Sequence, residues 1–154
     1  MQVLLDGGPF ESDDTVKKRL CKRDNNVKVL YELENAELPC GAKFKDLDEV
    51  RDYVGFVTGS ALWRNSDGLP QHVRVFSLGD LDYSESHKPN EIWLARRHWD
   101  QQVVLHELAH FFHKDFGHPG NFVAAYLTLV EWFMGKEFAR RYRAAFIREG
   151  IKCG

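Results

Sequence analysis

An α+β fold is predicted by two changes of rhythm along the 154 residues. Residues 72–78 (His-Val-Arg-Val-Phe-Ser-Leu) alternate apolar and polar, and the short run Glu91-Ile-Trp-Leu-Ala95 is mainly apolar between polar flanks, both marks of strands. From about residue 101 onward, apolar side chains recur every three to four positions, the mark of helices. A chain of this length buries roughly 70% of its unfolded surface without disulfide or metal staples. One domain is therefore expected, and any metal it holds is expected to be functional.

The elements follow in chain order. Residues 1–14 mix a short apolar patch with Gly7-Gly8-Pro9 and an acidic cluster, which reads as a poorly ordered leader ahead of a single domain over 15–154. Behind Asp24, a possible N-cap, the residues Val27, Leu30, Tyr31 and Glu34 follow helical spacing, although the Val-rich stretch also suits a strand. Asp46 caps a helix whose inward face is Leu47, Val50, Val54, Val57 and Ala61. Residues 79–90, rich in Gly, Asp, Ser and Pro, read as a long loop between the two strands.

Three helices complete the chain: Gln101 to Lys114, Pro119 to Met134 and Lys136 to Arg148. Asp100 suits the N-cap of the first, with Trp99 and Val104 spaced as a hydrophobic staple.

Charge and cysteine usage exclude several classes. A net charge of −2 and a pI near 6.4 lack the footprint of a protein that lives on nucleic acid or anionic lipid. No apolar run is long enough to cross a membrane. Cys21, Cys40 and Cys153 are far apart, with no C-x-x-C pair, and the N-terminus lacks the cationic start and apolar core of a secretion signal. A cytoplasmic protein is expected.

The chemistry is concentrated in His106-Glu107-Leu108-Ala109-His110, the H-E-x-x-H zinc signature. Positions i and i+4 stack on one helix face about 6 Å apart, so two imidazoles can converge on one Zn²⁺, with Glu107 beside the open coordination position. Turning about 100° per residue from His106, His110 falls near 40°, while Val104, Leu105, Leu108, Ala109, Phe111 and Phe112 occupy roughly 140° to 300°. The histidines and the apolar arc do not overlap.

A catalytic zinc takes three protein ligands. His113 shares the face but lies about 10.5 Å along the axis from His106, too far for three rings to meet comfortably. His118 stands at a bend between Gly117 and Pro119. Glu131, on the next helix, is its rival. On that helix Phe122, Ala125, Tyr126, Leu129 and Phe133 form the apolar stripe that must face the active-site helix; His118 is on that side and Glu131 is turned largely away. The pattern favours His118, with Glu131 kept as the alternative.

His106-Glu-Leu-Ala-His110 followed by His118-Pro-Gly-Asn-Phe122 resembles the H-E-x-x-H…H-x-x-x-F arrangement of SprT-like and WLM-type zinc peptidases, whose third ligand is the later histidine. Over residues 23–151, the segments Arg23 to Glu34, Ile92 to Arg97, Val104 to His110 and the terminal helices look like the small metallohydrolases of actinobacteria and their phages. Position 119 is Pro where that family usually carries Gly. The resemblance implies a small zincin-like domain, a Zn²⁺ ion and a hydrolytic class.

A zinc-dependent hydrolase, foremost a peptidase, is thus the leading expectation: Zn²⁺ on His106, His110 and His118, Glu107 as the proton-transferring group, and a peptide or protein as substrate. Strand 91–95 could align an extended substrate as an edge strand, or be an ordinary buried strand. Tyr126, His113 and His98 are candidate oxyanion donors, Tyr126 also reading as a core aromatic. The alternative is a non-catalytic, metal-stabilised protein-interaction module using part of the four tryptophans and eleven phenylalanines. A DNA-associated protease rests only on the basic runs 17–23 and 140–143, which more commonly form solvated faces.

Overall fold

The computed structural model describes residues 25–112 and 119–153. The leader over 1–14, the basic run 17–23, Asp24, His113 and His118 lie outside the described residues. Among the described residues, six α-helices and a three-stranded sheet make an α+β arrangement. Among the described residues no helix is long and apolar enough to cross a membrane.

The stretch that suited either helix or strand is a helix, α1 (Asn25–Ala36), which buries Leu30 and Leu33. Its three- and four-residue spacing decides the matter, since those two leucines and Glu34 share a side. Next comes α2 (Leu47–Thr58), capped as expected by Asp46, whose carboxylate accepts from the Glu49 N–H at 2.8 Å. Val50, Val54 and Val57 are buried, but Ala61 does not continue their face. The chain breaks at Gly59-Ser60, and Ser60 caps a separate turn, α3 (Ala61–Arg64), in which Ala61 is exposed and Trp63 is buried.

Strands β1 (Arg74–Ser77), β2 (Glu85–His87) and β3 (Glu91–Leu94) form one sheet in the order β1-β3-β2, with β1 parallel and β2 antiparallel to β3. Two expectations are corrected here. The loop over 79–90 contains β2, and β3 is the central strand rather than an edge. Glu85-Ser-His87 has no apolar alternation to betray it, because its inward residue, Ser86, faces a polar partner. The register sets Ser86 opposite Ile92, which shares its side of the sheet with Val75 and is fully buried.

Helix α4 (Gln101–Ala109) starts at the predicted cap, the Asp100 carboxylate accepting from the Val103 N–H at 2.9 Å. It does not run on to Lys114 as an α-helix. It tightens into a 3₁₀ turn over His110–Phe112, where the His110 N–H bonds back to the Glu107 and Leu108 carbonyls. Helix α5 (Pro119–Met134) and helix α6 (Lys136–Arg148) meet at Gly135, whose φ of 105° is one that a side chain would resist.

The core lies where α4 packs on β2, β3 and α5, with α2 against β1 and α6 against α5. Val104, Leu105, Leu108, Ala109, Leu129, Val130 and Phe146 are fully enclosed. Burying each such side chain stabilises the fold by about 1.5–3 kcal/mol relative to exposure. The predicted polar face of α4 is enclosed too: His106 and Glu107 are each only 3% exposed. Such groups stay inside only when their polar atoms are engaged, so their partners define the site.

Candidate metal centre

His106 and His110 are brought together as the i, i+4 spacing requires, their rings 5.2 Å apart and inclined at 64°. One ligand-type atom from each of His106, Glu107 and His110 lies within 4.8 Å of the others. The His110 ring stacks on Phe122 of α5 at 4.3 Å, and His106 meets Phe122 and Tyr126 edge-on. Aromatic residues of the α5 stripe therefore border the histidine pair.

His106 is held from the other side of the molecule. Its Nδ1 lies 2.8 Å from Oε2 of Glu34 on α1, and the Glu34 side chain is 6% exposed. The Tyr126 hydroxyl donates to the same oxygen. A carboxylate on Nδ1 makes that nitrogen the one that carries the proton, which leaves Nε2 with its lone pair. His106 Nε2 is buried and has no hydrogen-bond partner among the described residues. An imidazole nitrogen so placed, 4.0 Å from Oε2 of Glu107 and beside a second histidine, fits a cation such as Zn²⁺: the donors are imidazole and carboxylate, and the Nδ1 partner is the one metal-bound histidines ordinarily have.

Burial alone would pull the His106 imidazole down, but the charge and hydrogen bond of Glu34, with Glu107 adding, raise it, so without a metal Nε2 is the nitrogen that takes the second proton and a cation there takes that proton's place. Burial pushes the Glu107 carboxyl above its usual range, against the opposing pull of His106 and a hydrogen bond from Ser86. Ser86 on β2 reaches both the Glu107 carbonyl, at 2.7 Å, and its Oε1, at 2.8 Å. A carboxyl raised in this way is better suited to take and return a proton than an ordinary glutamate.

Of the other candidates, Glu131 is exposed on α5, in the groove that it lines with Lys136, Arg140 and Arg143, and is not part of the cluster. Tyr126 is fully buried with its hydroxyl on Glu34, the core reading rather than the oxyanion one. His98 pairs through Nδ1 with Ser84 Oγ at 2.8 Å, and burial with the nearby Arg97 lowers its pKa.

Three residues enter that spacing did not single out for chemistry. They are Glu34, Ser86 and Tyr31, whose ring stacks on His106 at 5.2 Å while 42% of the residue stays exposed. The exposed surface of Tyr31 is on the ring; the phenol end is enclosed, and that burial, with the charges of Glu107, Glu34 and Glu85, raises the phenol above the ordinary tyrosine range, so it keeps its proton. Glu34 was visible only as a helical-face residue, and nothing in the sequence marks its 72-residue reach to His106.

The chain matches no family model, no curated protein and no solved structure.

Proposed function

We propose that this chain is a zinc-dependent hydrolase built on a small zincin-like domain and acting on peptide bonds, with His106, His110 and His118 as metal ligands and Glu107 as the proton-transferring carboxylate. The observation that carries the proposal is the buried Nε2 of His106, which has no hydrogen-bond partner among the described residues, its ring fixed by Glu34 at Nδ1 and flanked by Glu107 and His110. Zinc bound there supplies Lewis acidity and brings the pKa of a coordinated water toward neutrality.

The chain's own residues do the rest. Glu34 keeps His106 in the Nδ1–H tautomer and fixes its ring. Glu107 accepts a proton from the attacking water and delivers it to the leaving amine, a task suited to a carboxyl raised by burial. Tyr31, neutral and partly exposed against His106, supplies a hydroxyl for the negative charge that develops on the substrate carbonyl oxygen. Phe122 and Tyr126 shield the imidazoles from water.

The test is Glu107→Gln, assayed for zinc content by elemental analysis and for cleavage of a quenched-fluorescent peptide library. The proposal expects the variant to retain zinc and to lose cleavage that the parent protein shows. Equal cleavage by both proteins overturns Glu107 as the base. Zinc retained by both with no cleavage by either favours the metal-stabilised interaction module.

A further inference from the structure

Ser86 is in an unusual place for a serine. Its partner across the ladder is Ile92, so it points to the buried side of the sheet, where β1 and β3 present Val75, Ile92 and Leu94. An apolar residue is the default on the inward face of such a sheet. The hydroxyl is instead engaged twice with one residue of α4: with the Glu107 carbonyl at 2.7 Å and with its Oε1 at 2.8 Å.

We infer that Ser86 is a positioning residue for Glu107, clasping its carboxylate to strand β2 so that Oε1 is tied and Oε2 is the oxygen presented toward His106; this rests on the hydrolase reading above. A glutamate has three side-chain torsions, and freezing them in a working orientation is a direct contribution to catalysis, because small misplacements of a reacting group cost rate steeply. A hydroxyl suits the task. It accepts from a carboxylic acid, and with the carboxyl ionised its one proton is shared between Oε1 and the Glu107 carbonyl, so the contact is kept in both states that a base visits in one turnover. While it accepts from the acid, its own proton serves the Glu107 carbonyl. The carbonyl contact fixes the depth of Ser86 against the end of α4, and the Oε1 contact sets the direction of the side chain.

A merely structural serine would tie β2 to the helix carbonyl alone. The two roles separate in a double-mutant cycle on the unfolding of the full-length, metal-free chain, using Ser86→Ala, Glu107→Ala and the pair, since the alanine at 107 keeps the carbonyl and removes only the carboxylate. A clasp on the carboxylate gives a coupling of about tenfold in the unfolding equilibrium. Additive effects overturn the inference.

The zinc-loaded chain supplies the second readout on the peptide library. Ser86→Ala should lower kcat about 10- to 100-fold while KM and zinc affinity stay within about twofold. Ser86→Thr should restore most of the rate, and Ser86→Ala should add nothing to Glu107→Gln. A loss of zinc affinity as large as the loss of kcat, or an unchanged kcat, overturns the positioning role. Coupling in the unfolding cycle without cleavage by the parent protein upholds the clasp and fails the hydrolase reading instead.

Discussion

Nδ1 of His106 and Oε2 of Glu34 stand 2.8 Å apart although 72 residues separate them. The contact joins α1 to the H-E-x-x-H helix at a ring whose other nitrogen has no hydrogen-bond partner among the described residues. Glu34 therefore sets which nitrogen of His106 faces the cluster, and it does so from an element that carries no part of the motif.

Glu34→Gln keeps an acceptor of similar shape and removes the charge. Zinc affinity, measured by competition with a chromophoric chelator, is expected to fall about 10- to 100-fold, the usual loss when the partner of a metal-bound histidine is changed. Unchanged affinity would show that the contact only fills space.

The two tyrosines near His106 separate by what they lose. Tyr126→Phe withdraws a donor from buried Glu34, so stability in urea is expected to fall by about 1–3 kcal/mol, with kcat at saturating zinc within about tenfold. Tyr31→Phe removes a hydroxyl without opening the core, and kcat is expected to fall about 100-fold at unchanged zinc affinity, as for loss of an oxyanion donor. The reverse pattern would exchange their roles.

Leu105 is fully buried on α4, one residue before His106. Leu105→Ala leaves a cavity beneath α4, and unfolding in urea is expected to show a loss of about 2–5 kcal/mol. A change under 1 kcal/mol would mean that this part of the core collapses to fill the void.

Asp100, the cap of α4, gives the pH dependence. Burial pushes its carboxyl from 3.8 to about 6, with the Val103 N–H and Lys43 pulling it back and Glu34 opposing them. Between those values the native state holds a proton that the unfolded chain releases. The resulting stabilisation is present at low pH and is lost as pH rises through about 6. Asn caps a helix equally well and cannot ionise. Asp100→Asn should therefore gain on the parent protein by about 2 kcal/mol between pH 4.5 and 7.5 in urea unfolding of the metal-free chain. A constant difference between the two proteins across that range would contradict the shift.

Much of this architecture was legible because it is local. The Asp46 and Asp100 caps, the helical face of Val50, Val54 and Val57, and the apolar arc of α4 each depend on neighbours a few residues away, and all are found as expected. What escaped is long-range. Strand β2 is three polar-flanked residues whose pairing with β3 comes from tertiary placement, and that pairing puts β3 at the centre of the sheet rather than at its edge. The 3₁₀ turn at His110–Phe112 begins where the Ser86 hydroxyl meets the Glu107 carbonyl, a contact that periodicity within one helix cannot foresee. At the site, the spacing placed His106, Glu107 and His110 together. Glu34, Tyr31 and Ser86 arrive from α1 and β2, which pattern reading treated as ordinary structure.

Anomalous diffraction at the zinc edge from crystals of the zinc-loaded, full-length chain tests the central claim most directly. One zinc peak is expected, coordinated by Nε2 of His106, by His110 and by His118, with Glu107 beside it and Glu34 still on Nδ1 of His106. A chain that takes up no zinc, or whose zinc peak stands away from the paired imidazoles of α4, would contradict it.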